Sequence, residues 1–422
     1  MQNKILKLFL IVLAFMPLLS AGQNSPAAKG TVKMGVSQIN ITPLQPVLLS
    51  GYDARKTPFT GVHDSLFASA LFFSDGQNKA LMITADVIGF RTAFVDTTKK
   101  MISEKTGIAA DHILIIAVHN HGGPAIHAYE DKLPKANDDY VKELKEELVL
   151  LAVDAMKNPV PFSMGIGKGL CKLNINRRAV FADGGVWLGR NLDGPCDHEL
   201  DVVKFADERN NLLAVLINWP CHGTVSGEDN YQLTGDWPAS AARQTKKLLG
   251  KDIIVAVTAG ASADINPIYG PGNDFDEVEA VGYHVGNETS KVITQTRTSP
   301  VKSLKILHSS LSFPGKKAGK DQFPQSSYES APDVEIRFTG LKLGDLVLCG
   351  ISAELMTEMG MEIKKRSPYP STLIVTHCNG SSGYICTDKA YTEGGYEVKV
   401  SHVMPGIEKP LVQKCLEMIR AF

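Results

Sequence analysis

The chain reads as an α/β fold, with a mixed β-sheet core flanked by helices, and three observations predict it. Runs rich in β-branched residues, bounded by Gly, Asp, Asn or Pro, recur along its length. Amphipathic segments at helical spacing separate many of them, and such alternation packs helices over a sheet. No repeat, low-complexity tract or long linker interrupts the pattern, so residues 30–422 are expected to form a single domain. The composition agrees: 422 residues, 44% hydrophobic and 21% charged, are the proportions of a soluble globular protein long enough to close a core without staples. With 44 Lys+Arg against 45 Asp+Glu and no basic block, the chain lacks the positive footprint that grips phosphates, so no nucleic-acid partner is expected.

In chain order, Lys4 and Lys7 precede an apolar run from Leu8 to Leu19, and Ser20-Ala21-Gly22 supplies small residues at its end. This is the layout of a signal peptide over residues 1–21, which predicts an exported protein, periplasmic or secreted. The run is shorter than the roughly 20 apolar residues that a membrane span needs, and no transmembrane segment is expected elsewhere.

The strands that follow are Val32 to Ile41, Ala68 to Phe73, Ala80 to Ala85, His112 to Val118, Leu200 to Phe205, Leu212 to Asn218 and Ile253 to Thr258. Ser303 to Leu311, Val334 to Phe338, Leu346 to Ile351 and Thr372 to Thr376 complete the set. Helices are predicted over Ala93 to Lys105, Pro238 to Leu249, Glu277 to Thr294, Leu355 to Lys365 and Leu411 to Arg420. Another covers Asp138 to Lys157, where Val141, Leu144, Leu148, Leu151 and Ala155 recur at spacings of three and four. Gly315 to Pro332, rich in Gly, Pro and Ser, reads as a polar loop. The seven cysteines include no C-x-x-C pair, and their odd number excludes a complete disulfide framework.

Chemistry concentrates where strands run out. In "IIAVHNHGGP" an apolar strand ends in His119 and His121, which strand alternation would point to one face. Two neutral imidazoles on one face can begin a zinc site, although paired structural histidines give the same pattern. The strand ending in "WPCHGTV" delivers His222 to a similar position, where a satisfied core histidine is the plain alternative. "ASADINP" places Asp264 and Asn266 on another strand tip, and "LVLCGIS" runs into Glu354 at a helix start, a position that favours an acid whatever its role. Asn176-Arg177-Arg178 is expected in a short loop. No G-x-S-x-G elbow, Walker loop, G-x-G-x-x-G fingerprint or H-E-x-x-H helix is present, so the serine-hydrolase, nucleotide-binding and zincin classes lose their usual supports.

The ordered set "GYDARKTPFTGVH", "AVHNHGGP", "NINRR", "NWPCHGTV", "ASADINP", "ISAELMTEMG" and "GYICTDKAYTEGGYEV" resembles the neutral/alkaline ceramidase family, specifically its catalytic domain, over about Val32 to Val398. The resemblance implies a Zn2+ ion held by His119, His222, Glu354 and Tyr384. His121, Arg177 and Tyr396 would line the site, His121 moving a proton to the leaving amine and Arg177 stabilising the oxyanion. Two departures stand out. Asn266 occupies the position of the family's serine and cannot form an acyl-enzyme, so hydrolysis is expected to use zinc-activated water. The chain is also expected to lack the C-terminal immunoglobulin-like domain of ceramidases. These features imply a zinc-dependent hydrolase of linear carboxamides, with a small-molecule amide or ester as substrate. Ester or lactone hydrolysis, and a non-catalytic protein that keeps the metal pocket, are the alternatives.

Overall fold

A computed structural model describes residues 31–127, 133–250, 253–319, 324–325 and 327–422. The expected signal peptide lies outside the described residues.

The largest sheet has nine strands. Along its main path they are ordered Ile254–Ala259, Leu212–Trp219, Glu199–Asp207, Val160–Leu170, Lys33–Asn40, Phe67–Ser74, Lys79–Ala85 and Ile113–Ala117. The two outermost pairings are parallel and the intervening ones antiparallel, so the sheet is mixed as expected. A second sheet holds Leu304–Lys316, Ser330–Leu343, Leu346–Ile351 and Ser371–Val375. One apolar cluster joins the two, with Leu71, Phe73, Met82 and Ile116 of the first sheet and Leu341, Leu348, Leu373 and Val375 of the second all buried in it.

Helices Thr92–Thr106 and Lys135–Ala155 cover the other face of the large sheet, placing Val95, Leu144, Leu148 and Leu151 against Phe72, Leu81 and Ile83. Tyr140, rather than the half-buried Val141, completes that helical face. Helices Asp236–Leu249 and Phe275–Gln295 pack beside Val215, Ile217 and Val257. Helices Thr357–Arg366 and Glu408–Arg420 cover the second sheet. The core is therefore two sheets rather than one, with helices outside both.

Three local expectations change. Asn176, Arg177 and Arg178 belong to a strand, Asn174–Val180, because that segment pairs with both Val186–Asn191 and Ile265–Pro267. The expected polar loop, Gly315 to Pro332, is trimmed at both ends, because the two strands of a hairpin extend to Lys316 and from Ser330; its residues 320–323 and 326 lie outside the described residues. Glu354 precedes its helix, which begins at Thr357. It lies in a two-residue strand, Glu354–Leu355, parallel to Tyr384–Ile385, so strand pairing and not the helix dipole sets its position.

Candidate metal centre and active site

His119 lies two residues beyond the strand Ile113–Ala117 and has a left-handed backbone, φ 65°. Strand alternation therefore does not bring His119 and His121 together; a turn does. The turn is tied to the segment carrying His222: Gly223 N donates to His119 O (3.2 Å), and His121 N donates to Gly223 O (2.9 Å). Gly223 is needed for this approach, since a Cβ there would stand 2.7 Å from Asn120 Cα.

The hydrogen bonds of these rings fix what each can do. His119 Nδ1 donates to Ile88 O (2.6 Å), and His222 Nδ1 donates to Ile265 O (3.0 Å). A carbonyl only accepts, so both neutral rings carry the proton on Nδ1 and present Nε2 as an acceptor, which in His222 lies within 3.2 Å of Arg177 Nη1. Glu354 Oε2 stands 3.4 Å from His119 Nε2 and 3.5 Å from His222 Nε2. Three buried acceptors thus converge, and Glu354 Oε2 has no hydrogen-bond partner among the described residues. A cation resolves such a cluster. Ligands at bonds of about 2.0–2.1 Å in a tetrahedron lie about 3.3–3.4 Å apart, which matches these separations. The electrostatics agree. Burial, reinforced by the Arg177 guanidinium, lowers His222 to about 4. Burial works to raise the Glu354 carboxyl, whereas His119, His222 and His377, in their protonated forms, bring it well below the usual range.

His121 Nε2 lies 3.4 Å from His119 Nε2, and the two form a further potential metal group with His222. Its Nδ1 is buried without a partner among the described residues, so no carbonyl pins its tautomer. Gly51 makes room for this ring: at φ +95° it leaves no Cβ, which would otherwise stand 2.5 Å from His121 Nδ1.

Arg177 links the remaining residues. Its Nη1 donates to His222 Nε2 (3.2 Å) and Asn266 Oδ1 (3.3 Å), and its Nη2 donates to Tyr384 Oη (3.2 Å). The guanidinium also lies 5.6 Å from the ring centroids of both Tyr384 and Tyr396. Burial, with Glu354 adding to it, raises the Tyr384 hydroxyl well above its ordinary value, against the opposing guanidinium. A cavity of about 450 Å3 opens over this group, lined by Tyr52, His121, Arg177, Asn266, Tyr384 and Tyr396. All eight residues singled out in the sequence therefore gather around one place.

Two neighbours escaped the sequence reading. Glu397, buried in the helix Tyr396–Val400, accepts from Arg177 Nε (2.7 Å) and Arg178 Nη1 (2.8 Å), and so aims the guanidinium. Its only sequence signal is a carboxylate beside Tyr396. His377 follows the strand Ser371–Val375 and lies beside His119, with which it and Glu354 form a second potential metal group. Its signal was the one that marked His222, a histidine at a strand's end.

Fold and site together define an α/β protein with a buried His/Glu centre able to hold a metal ion at the floor of a small-molecule cavity. No family model matches the chain. Curated neutral ceramidases of Drosophila pseudoobscura pseudoobscura and Drosophila melanogaster are each 24% identical to it over 287 residues, 63% of this chain. The chain spans about two fifths (41%) of the length of those relatives. The crystal structure of neutral ceramidase from Pseudomonas aeruginosa superposes at a TM-score of 0.77 with 15% identity, covering 93% of this chain and 74% of that one. A ceramidase complexed with C2 gives 0.77 and 14%, covering 93% and 75%. The chain is neutral ceramidase-like, in sequence over part of its length and in fold over nearly all of it.

Proposed function

We propose that this chain is a zinc-dependent N-acyl amidohydrolase that cuts a linear carboxamide. The carrying observation is the convergence of His119 Nε2, His222 Nε2 and Glu354 Oε2 beneath a cavity that also presents Arg177 and an unpinned imidazole. His119, His222 and Glu354 would hold the ion, with Tyr384 as the fourth donor. When bound, zinc polarises a carbonyl and lowers the pKa of water to about 7.

The chain's own residues supply the rest. Arg177, held on its Nε edge by Glu397, turns its Nη groups toward the centre and stabilises negative charge developing on the carbonyl oxygen. His121 can carry a proton on either nitrogen and so passes it to the departing amine. Asn266 Oδ1 accepts from Arg177, which leaves its Nδ2 hydrogens for a substrate acceptor. An amide cannot serve as the acyl-accepting nucleophile, so water does. Tyr52, Tyr384 and Tyr396 give the cavity apolar walls with polar tips, suited to a small or medium acyl amide.

We also propose export, directed by residues 1–21. Protein made in its own host should then begin near Gly22 and lie outside the cytoplasm. The deciding experiment on the activity is turnover of a panel of fatty-acyl, aryl and sugar amides, with matching esters, by metal-free and zinc-loaded protein. Zinc-dependent release of amine supports the proposal. Preferential turnover of esters would move the assignment to ester hydrolysis, and none at all would leave a binding protein.

A further inference from the structure

Charges along the cavity over the metal centre are unevenly matched. Its lining includes the ionised side chains of Asp53, Arg177 and Arg190. Asp53 is paired with Lys56 (3.0 Å), and Arg177 with Glu397 (2.7 Å). Arg190 is bonded to carbonyls instead: Nε donates to Ile268 O (3.2 Å) and Nη2 to Gly270 O (2.7 Å), and no carboxylate stands within ion-pair distance of it among the described residues. Two neutral acceptors orient this guanidinium without cancelling its charge. A second group on the lining also lacks a partner. Thr224 is buried, and no described residue bonds its Oγ1, a hydroxyl that is costly to bury until something satisfies it.

Both residues belong to one wall, which begins at His121. His121 N donates to Gly223 O (2.9 Å), and Thr224 follows Gly223. Val225 then meets the loop beyond Asn266: Gly272 N donates to Val225 O (2.9 Å), and a Cβ on Gly270 would collide with that same oxygen. Gly270 O is in turn the acceptor that Arg190 Nη2 holds. The wall thus runs from the proposed general acid, past an unpartnered hydroxyl, to a cation on the exposed strand Val186–Asn191. His121 hands its proton to the leaving amine, so the group attached to that amine lies along this wall.

Resting on the amidohydrolase reading, we propose that the substrate is an N-acyl amino acid, an amide whose amine side ends in a carboxylate, with that carboxylate on Arg190 and the amide N–H on Thr224 Oγ1. A carboxylate supplies the counter-charge that the guanidinium lacks, through a charge-assisted bond that a neutral head group cannot make. The plainer role for Arg190 is a strut that ties its strand to the loop through Ile268 O and Gly270 O. A strut acts on every substrate alike, whereas a carboxylate contact acts on charged ones.

Amine release by zinc-loaded protein from N-octanoylglycine, N-octanoyl-γ-aminobutyrate and N-octanoylethanolamine tests this, together with calorimetric binding of the same amides to metal-free protein. At least one charged amide should exceed the neutral one by at least about tenfold in kcat/KM and in affinity. That preference should shrink as ionic strength rises, because Arg190 is exposed. Arg190→Gln should remove the preference and Arg190→Lys keep part of it, while Thr224→Val should weaken all three amides by about two- to tenfold. Equal or better turnover of N-octanoylethanolamine, or an Arg190→Gln protein in which all three amides fall alike, would overturn the proposal and leave Arg190 a strut. Charge-selective binding without zinc-dependent turnover of any amide would instead overturn the amidohydrolase reading and leave the carboxylate contact standing.

Discussion

The imidazole of His377 lies flat against that of His119, with ring centroids 3.8 Å apart and planes 14° from parallel. Stacked rings do not aim their in-plane lone pairs at one point, so this geometry makes His377 a support for His119 rather than a ligand beside it. His377→Phe, which keeps a flat ring, should retain metal affinity within a few-fold, whereas His377→Ala should lose about 10–100-fold. Equal losses in a chelator competition would make His377 a donor.

His222 and His121 should separate in the same assay. His222→Ala removes a pinned donor and should abolish both metal content and hydrolysis. His121→Ala removes an unpinned ring and should spare the metal while slowing turnover by about 10²–10⁴-fold, the range for a lost general acid–base. Loss of metal in both would show that His121 ligates, as its 3.4 Å approach to His119 would permit.

Glu397 carries two guanidinium groups on one buried carboxylate. Glu397→Ala leaves Arg177 and Arg178 without that charge and should destabilise the fold by about 3–5 kcal/mol, read from urea unfolding. Glu397→Gln keeps the shape, so among folded molecules kcat should fall with little change in metal content. Wild-type kcat in that variant would remove Glu397 from the positioning of Arg177.

Replacing Asn266 by Ala should cost about 0.5–1.5 kcal/mol in kcat/KM, one lost hydrogen bond, without abolishing the reaction. Asn266→Ser should not create efficient cleavage of ceramide. A zinc-replete Asn266→Ala protein with no activity would give Asn266 a part in the chemistry that a positioning amide does not have.

The lowered pKa of His222 has a signed consequence for the metal-free protein. Between about 6.5 and about 4 the unfolded chain binds a proton at this residue that the folded chain does not. Stability therefore falls with pH through that window, by up to about 1.4 kcal/mol per pH unit from this one group; above it, both states are neutral and the contribution vanishes. Urea midpoints of metal-free wild type should approach those of His222→Gln as pH drops from 7 to 4.5. A gap independent of pH would contradict the assignment.

The α/β class and His119, His121, His222, Asn266 and Glu354 were legible because strand-end residues reveal themselves locally, by an apolar run followed by a polar break. Arg177, Tyr384 and Tyr396, by contrast, took their place in the site from the ordered family motifs. The cause of their meeting was not legible. His119 needs a positive φ, which a Gly or Asn at that position would have announced and a His does not, and strand alternation accounted for the H-x-H pair by the wrong geometry. The strand holding Arg177 was hidden because its pairing partners, Val186–Asn191 and Ile265–Pro267, are irregular or short. Glu397 looks like any acid in a helix's first turn. The division into two sheets is a long-range property: Leu71 and Leu373 share one core, but each reads only as an apolar strand residue.

The contact between Arg177 and Glu397 joins positions 220 apart in the sequence. Closing so long a loop costs entropy before any contact repays it, and topologies dominated by such pairings fold slowly. The guanidinium is thus aimed only when the two distant segments have docked, late in folding. Catalytic competence should therefore appear after most secondary structure during refolding, which makes recovery of activity a sensitive clock for the last step of assembly.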